Sequence, residues 1–134
     1  MTLGIAPEKG RSLVPYMSLS RPKEPTVAIV ERYLAECFAI EDVPRASELA
    51  ARCGMSPAQL TRAFVRELGS RPAEFLKGRQ VDYAKRLLMT TTLTTTEVAY
   101  RAGFGTRGTF FRVFRRATRM TPAQYRARIH PEAA

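Results

Sequence analysis

The spacing of apolar residues predicts helices from residue 26 onward. Four apolar residues at intervals of three, four and four positions share one face of a first helix over residues 26 to 40. They are Val27, Val30, Leu34 and Phe38. A longer helix over residues 72 to 88 starts with Pro72, which suits the first position of a helix. Its predicted core residues are Phe75, Leu76, Val81, Ala84 and Leu88.

Part of this pattern occurs twice, at an offset of fifty residues that pairs Leu60 with Phe110 and Arg62 with Arg112. Searching for such repeats comes before any assignment of elements, because a repeat fixes the architecture. Each copy consists of a short predicted helix, a tight turn and a longer predicted helix. The sequence therefore contains the same structural unit twice.

Turn and capping residues mark the ends of the helices in both copies. In the first copy Gly54 takes the left-handed position after the short helix, which glycine adopts at least cost. Ser56 then caps the longer helix and forms a Ser-x-x-Gln capping box with Gln59. In the second copy Gly103 makes the turn and Thr106 is the cap. Two more capping boxes are Thr94 with Glu97 and Thr121 with Gln124.

Small residues allow the two helices of each unit to cross closely. Ala50 and Ala99 each precede the turn glycine by four residues, and this geometry is a helix-turn-helix. The longer helices carry apolar stripes of Leu60, Ala63, Phe64 and Leu68 in the first copy and of Phe110, Val113 and Phe114 in the second. We therefore expect an all-α fold of about seven helices, with two helix-turn-helix subdomains joined by a long connecting helix. A plain helical bundle is the alternative.

The expected domain boundaries follow from these elements. Residues 1 to 24 contain several glycines and prolines and no sustained periodicity, which predicts a flexible arm or linker. The remaining residues, 25 to 134, are expected to form one domain that contains both helix-turn-helix units. Its parts are subdomain one over 25–71, the connecting helix over 72–88 and subdomain two over 89–134.

Net positive charge is confined to the second part of the chain. Residues 1 to 55 hold seven Lys or Arg and seven Asp or Glu, whereas residues 56 to 134 hold fifteen against five, which gives the whole net charge of +10. Thirteen of those fifteen cations are Arg, whose planar guanidinium suits phosphates and base edges. This distribution predicts a polyanionic partner, and double-stranded DNA fits two helix-turn-helix units. A solvated basic face is the alternative.

No sequence feature favours an enzyme, a metal site or a membrane protein. Cys37, Cys53 and a lone His130 cannot assemble a zinc site of four protein ligands. No Ser-His-Asp or paired-carboxylate constellation is visible. No apolar run approaches the roughly eighteen residues that cross a bilayer, and no secretory signal follows Met1. We expect a cytoplasmic protein that is not an enzyme and has no cofactor and no metal.

Residues 46 to 128 resemble the DNA-binding domain of the AraC/XylS family of bacterial transcription regulators. The most specific part is the run EVAYRAGF over residues 97 to 104, followed by FFRVFRR over residues 110 to 116. Thr121-Pro122 and Tyr125-Arg126 continue the match. The resemblance implies a transcription regulator that binds a specific double-stranded DNA sequence, with two recognition helices in adjacent major-groove segments.

Three positions depart from the family pattern. Arg119 stands where Gly is usual, so the second recognition helix must either end with a bulky residue in the left-handed region, at a cost of about 1 kcal/mol, or end differently. Thr95 replaces a branched aliphatic residue. Gln80 holds a place often taken by Arg, shortly after Gly78, which marks either close packing or a point of bending.

The face opposite the apolar stripe of each longer helix is expected to enter the major groove. At about 100° per residue, and at positions that contact bases in family members, this face predicts seven base-reading residues. They are Ala58, Thr61, Arg62, Arg107, Gly108, Thr109 and Arg112. For Arg62 and Arg112, a solvated or phosphate-bound side chain is the alternative. The predicted phosphate contacts are Ser56, Arg66, Arg71, Thr106, Arg115, Arg116 and Arg119.

Two expectations concern the complex and the whole protein. The connecting helix spans about 25 Å, less than the roughly 34 Å between successive major-groove faces. We therefore expect the DNA to bend toward the protein, or only one recognition helix to insert fully. RNA polymerase is a further candidate partner. The chain fits a standalone regulator as well as the DNA-binding part of a longer one whose sensing domain is missing from this chain.

Overall fold

The computed structural model describes residues 25–130. They form seven helices, namely α1 (Thr26–Ala39), α2 (Ala46–Arg52), α3 (Pro57–Leu68), α4 (Pro72–Thr90), α5 (Thr95–Arg101), α6 (Arg107–Thr118) and α7 (Pro122–Ile129). Within the described range no strand occurs, and the predicted all-α fold of about seven helices is confirmed. None of these helices is long and apolar enough to cross a membrane. The flexible arm expected over residues 1 to 24 lies outside the described residues.

Two hydrophobic cores hold the molecule together, and α4 contributes to both. The first core unites α1, α2, α3 and the start of α4, and its buried residues are Val30, Tyr33, Leu34, Cys37, Leu49, Ala50, Leu60, Phe64 and Leu76. The second unites the rest of α4 with α5 and α6, and its buried residues are Val81, Ala84, Leu87, Leu88, Val98, Ala99, Ala102, Phe104, Phe110 and Phe114. Leu76 packs in the first core and Val81 in the second, and both lie in α4. The packing of this one helix therefore joins the two units.

The buried face of α1 differs from the predicted one. The prediction that Val27 shares the buried face was wrong, since 42% of the surface of Val27 is exposed. Tyr33 and Cys37 are buried instead, which rotates the buried face away from Val27. Tyr33 can be buried because its hydroxyl accepts a hydrogen bond from the Arg45 backbone N–H at 2.9 Å and donates to the Glu48 carboxylate at 2.5 Å. These two partners come from outside the helix, so the spacing of apolar residues in α1 could not indicate them.

α4 runs to Thr90, beyond the predicted end at residue 88. The guanidinium of Arg126 in α7 holds this end by donating hydrogen bonds to the carbonyl oxygens of Leu88, Thr91 and Leu93. Charge-assisted hydrogen bonds of this kind satisfy carbonyl groups that a helix end leaves without a partner. Phe75, one of the predicted core residues of α4, is half-buried and packs edge-to-face against Phe64.

The middle of α4 contains Gly78 and Gln80, the two residues for which the sequence predicts close packing, bending or a departure from the family pattern. A Cβ atom at Gly78 would meet no heavy atom within 4 Å, so close packing does not explain the glycine, and bending remains the prediction. Gln80 is buried, and its side-chain amide donates to the carbonyl oxygens of Ala102 and Gly103, at 3.1 and 2.9 Å. The middle of α4 therefore contacts the turn of the second helix-turn-helix unit.

Candidate nucleic-acid interface

Local sequence determines where α3, the first recognition helix, begins and ends. The Ser56 hydroxyl accepts a hydrogen bond from the Gln59 N–H at 3.1 Å, and the Gln59 side chain accepts one from the Ser56 N–H at 2.9 Å, which confirms the predicted capping box. Pro57 occupies the first helical position, and Gly69 ends the helix in the left-handed region at φ 76°. Pro57 has no N–H, and the Gln59 N–H is already bonded to Ser56. In the first turn of α3 the Ala58 N–H therefore stays available to bind an anion.

The second recognition helix, α6, begins and ends differently. The Thr106 hydroxyl accepts from the Thr109 N–H at 3.1 Å, but Thr109 cannot reach back to close a capping box as Gln59 does in α3. Arg107 occupies the first helical position in place of a proline, so α6 has one more N–H in its first turn. Of the two endings considered for this helix the left-handed one is present, since Arg119 has φ 66°, at a strain of about 1 kcal/mol.

The outward face of α3 is small and weakly charged. Ala58 and Arg62 are exposed as predicted, whereas Thr61 is half-buried and its hydroxyl donates to the Pro57 carbonyl at 2.9 Å. Val65 is 51% exposed and was not among the predicted contacts. Because Val65 is apolar and lies next to the buried stripe, the sequence alone suggests a core residue. Its direction, roughly 140° from the core-facing side of the helix, could have identified it as an exposed candidate contact.

The outward face of α6 is rich in arginine. Gly108 and Arg112 are exposed as predicted. Arg107 lies at the helix start with its guanidinium 4.2 Å from the centre of the Phe111 ring, a cation–π contact that orders the side chain. Thr109 is half-buried and lines a small cavity that faces the first unit.

An open groove follows α6 along its outward side. It is lined by Gly108, Phe111, Arg112, Arg115, Arg116, Arg119 and Thr121. The structure thus brings Arg112, a predicted base reader, together with three of the predicted phosphate contacts. Phe111 was missed in the sequence, although its position four residues after Arg107 places the two side chains on neighbouring turns.

Ion pairs within the chain reduce the positive charge available to a partner. Arg66, a predicted phosphate contact, pairs with Glu67 at 3.1 Å, and Arg101 pairs with Glu41 at 3.1 Å. Six guanidinium groups at the predicted interface have no hydrogen bond or ion pair with any residue in the range 25–130. They belong to Arg62, Arg71, Arg112, Arg115, Arg116 and Arg119, of which four lie on or at the end of α6.

A glutamate supports the short helix of each unit in a different way. In α5 the predicted capping box is present, because the Glu97 carboxylate accepts from the Thr94 N–H at 2.8 Å, and this hydrogen bond lowers the pKa of Glu97. In α2 the residue before the helix, Arg45, makes no side-chain cap, and Glu48 accepts instead from the buried Tyr33 hydroxyl. The first unit therefore depends on a contact between helices where the second depends on a local one.

Comparison with known proteins places this geometry in a family. The family model described as a helix-turn-helix domain matches residues 49–128. The chain is 40% identical over 82 residues to the HTH-type transcriptional regulator Rv1931c from Mycobacterium tuberculosis, which covers 61% of this chain and 32% of that protein. It is 36% identical over 80 residues to the uncharacterized HTH-type transcriptional regulator SAS0078 from Staphylococcus aureus, covering 60% of this chain and 11% of that protein. The chain thus spans about a third or less of the length of these relatives.

Solved structures of several proteins share the fold. The DNA-binding domain of the global transcriptional factor AdpA, in complex with a target DNA, superposes with a TM-score of 0.74 at 32% identity, covering 82% of this chain and 96% of that one. The C-terminal domain of the two-component response regulator yesN from Fusobacterium nucleatum superposes with a TM-score of 0.69 at 26% identity, covering 77% and 99%. Since the family model also covers more than half of the sequence, the chain belongs to the AraC-type helix-turn-helix family of DNA-binding domains.

Proposed function

We propose that this chain binds double-stranded DNA in a sequence-specific manner, as a bacterial transcription regulator, with α3 and α6 in adjacent major-groove segments. One observation carries the proposal: two capped helices each present exposed arginine on the face opposite their core. The AdpA domain, which was solved on its target DNA, supports it through the shared fold. The proposed role is DNA recognition and not catalysis. The proposed location is the bacterial cytoplasm, where the DNA lies.

Arginine on the outward faces supplies the proposed sequence reading. Arg112 on α6 and Arg62 on α3 are suited to the O6 and N7 atoms of guanine, and each such bidentate pair discriminates by about 1–3 kcal/mol. The other proposed base contacts are Ala58, Thr61, Arg107, Gly108 and Thr109. The proposed phosphate contacts are Ser56, Arg66, Arg71, Thr106, Arg115, Arg116 and Arg119. Among these, Arg66 must exchange its contact with Glu67 for a phosphate, so we expect it to contribute least.

Salt dependence tests whether the arginine-rich surface is a DNA footprint. Binding sites are selected from random duplexes, and affinity is then measured by fluorescence anisotropy over a series of salt concentrations. With about five to eight phosphates neutralised, log K should fall with log salt at a slope of about −5 to −7. A slope shallower than about −2 would contradict the proposal.

Substitutions separate base readers from phosphate contacts. Arg112→Ala should cost about 1–3 kcal/mol on the preferred site and relax base choice at one position, whereas Arg116→Ala should weaken all sequences alike. Arg86→Ala is the matched control, because it removes the same charge from α4, where Arg86 lies over the Tyr83 ring and lines a groove between α1 and α4. Equal behaviour of all three variants on matched and mismatched sites would contradict the assignment.

The length of α4 bears on how both helices reach one duplex. Its nineteen residues span about 28 Å, still short of the roughly 34 Å between successive major-groove faces on one side of B-DNA. We propose that the DNA bends toward the protein, at a cost of a few kcal/mol, or that one helix inserts incompletely. A phased-bending gel with a footprint distinguishes these cases. Straight DNA protected over two adjacent segments would contradict both.

Contacts beyond DNA are proposed for the whole protein. The relatives are longer than this chain, which supports a sensing domain encoded elsewhere in the same polypeptide. RNA polymerase is the proposed partner for activation, since a DNA-bound regulator acts on transcription through it. The intact mass of the protein from its native source tests the first point, and retention of purified polymerase on regulator-bound DNA tests the second.

A further inference from the structure

The connection between α1 and α2, residues 40–45, lies directly against the turn of the second unit. A Cβ atom at Gly103 would lie 2.8 Å from the Asp42 carbonyl oxygen and 3.0 Å from the Pro44 Cδ atom. One at Gly105 would lie 3.1 Å from a Val43 methyl group. The distance to the Asp42 carbonyl leaves no room for a side chain at Gly103, so the backbones of the two units are in contact here, and the Val43 methyl group packs closely against Gly105.

Glu41 occupies a strained position in this connection. The Asp42 N–H donates to the Cys37 carbonyl at 2.9 Å and the Glu41 N–H donates to the Phe38 carbonyl at 3.3 Å, which is the pattern of a Schellman ending of α1. The residue at the left-handed position of such an ending is usually glycine, yet Glu41 stands there at φ 55°. Its carboxylate meets the Arg101 guanidinium of the second unit at 3.1 Å. The strain therefore accompanies a contact between the units.

Gln80 approaches the same turn from the other side. It is 4% exposed, and its amide donates to two consecutive carbonyls of the turn, those of Ala102 and Gly103. In α4 it lies between Leu76, which packs in the first core, and Val81, which packs in the second. The turn is thus held between α4 and residues 40–45.

The first unit anchors residues 40–45 at both ends. One end is the Schellman ending of α1, and the other is Arg45, whose N–H donates to the Tyr33 hydroxyl. Burial raises the pKa of Tyr33 well above its ordinary value, so the hydroxyl stays protonated and donates a hydrogen bond to the Glu48 carboxylate. The connection is therefore a fixed part of the first unit.

Without this contact the units would be joined by α4 and by two side-chain contacts from α1 to the part of α4 beyond Gly78, the stacking of Phe38 on Tyr83 and the ion pair of Glu31 with Arg79. Gly78 stands at the joint, and no neighbour packs against its open side. Glycine lowers the resistance of a helix to bending at that point. Any bend there would change the distance and angle between α3 and α6.

We propose that residues 40–45 together with Gln80 act as a brace that fixes the separation and rotation of α3 relative to α6, and thereby the base-pair spacing that the protein accepts. Glu41 and Gln80 are positioning residues, since they act through the turn of the second unit. The proposal rests on the proposed DNA binding. One base pair rotates a recognised segment by about a tenth of a helical turn, so a braced pair of helices should tolerate no insertion.

The brace is tested first without DNA. Residual dipolar couplings of the backbone amides report whether one alignment tensor describes both units. The wild-type protein should need one tensor, and the double variant Glu41→Gly with Gln80→Met should need two, because glycine suits the backbone at position 41 and methionine suits a helix but donates no hydrogen bond. Glu36→Gln is the control, since it breaks an ion pair with Arg52 inside the first unit. A single tensor for the double variant would overturn the brace.

The second test uses duplexes selected by the wild-type protein, with one or two base pairs inserted or deleted between the two protected segments. An insertion should weaken wild-type binding by at least about 30-fold and binding of the double variant by about threefold or less, since flexible units can still engage both segments. Equal penalties for both proteins would overturn the proposal. If the wild-type protein selects no duplex, the proposed DNA binding fails, and the dipolar couplings still decide whether the brace exists.

Discussion

The two helix-turn-helix units have the same backbone plan and different outward faces. Positions that correspond at the offset of fifty residues are Pro57 and Arg107, Thr61 and Phe111, Val65 and Arg115, and Gly69 and Arg119. In each pair the first unit has a small or apolar residue, and the second has an arginine or the aromatic ring that supports one. The difference indicates a division of work in the proposed complex, in which α6 supplies charge and α3 supplies shape.

The turns of the two units differ as well. A Cβ atom at Gly54 would meet nothing within 4 Å, whereas one at Gly103 would collide with the Asp42 carbonyl of the other unit. Both glycines have positive φ, at 65° and 77°. The duplicated turn is thus exposed in the first unit and enclosed in the second, which makes only the second turn part of the contact between units.

The largest expected effect comes from adding a methyl group to each turn. Gly54→Ala should cost only the backbone strain of about 1 kcal/mol, whereas Gly103→Ala adds overpacking against backbone and should cost about 3 kcal/mol in total. Urea denaturation followed by circular dichroism measures both free energies of unfolding. Equal losses in the two variants would show that the second turn is as open as the first.

The next effect separates charge from shape on the outward faces. Arg115→Ala should weaken DNA binding by about 1 kcal/mol and make the salt slope about 0.9 shallower, because one phosphate contact is lost. Val65→Ala should leave the salt slope unchanged and instead reduce the preference for thymine over deoxyuridine in the segment read by α3, since an exposed apolar side chain suits the thymine methyl group. Anisotropy titrations on methylated and unmethylated duplexes provide both values. A shallower slope for the Val65 variant would contradict the division of work.

The helix endings predict effects of opposite sign. Arg119→Gly should stabilise the protein by about 1 kcal/mol, because glycine adopts the left-handed backbone without strain, and should weaken DNA binding through the lost cation. Gly69→Ala at the equivalent place should destabilise the protein by about 1 kcal/mol and leave DNA binding unchanged. Thermal unfolding and anisotropy measure the two properties. A stability loss in the Arg119 variant would mean that its side chain packs in the folded protein.

The smallest effect concerns the two short helices and pH. The folded-state pKa of Glu97 lies below the ordinary value of 4.5, so its hydrogen bond to Thr94 stabilises the fold above that pH and is lost as the pH falls below it. Glu97→Gln should therefore flatten the decline in unfolding temperature between about pH 5 and pH 3. Unfolding scans at several pH values compare the variant with the wild-type protein. An unchanged decline would show that other carboxylates determine it.

Local signals in the sequence were enough to predict the helices and their caps. Ser56, Thr94, Thr106 and Thr121 each bond a backbone group three residues along, so their partners lie within the same short segment. The glycine turns were predictable for the same reason, since a left-handed position depends on one residue.

Contacts between distant segments were not predictable in this way. Gln80 attracted notice as a departure from a family pattern, but its partners lie 22 and 23 residues away. The error at Val27 has the same origin. Tyr33 can be buried in α1 only because Arg45 and Glu48, which lie outside that helix, bond its hydroxyl. Among the candidate contacts, exposure could be inferred from helical direction, whereas the pairing of Arg66 with Glu67 depends on side-chain rotamers that the sequence does not specify.

The sharing of α4 between two cores bears on how the protein opens locally. Segments of a protein unfold in cooperative groups that often coincide with packed motifs. Residues 73 to 77 of α4 pack with the first core through Leu76, and residues 81 to 88 pack with the second, so the border between two such groups falls inside one continuous helix. Amide hydrogens on the two sides of Gly78 should then exchange with solvent at two different rates. Opening of either unit alone should therefore expose the corresponding part of α4 to a protease, although α4 is one continuous helix.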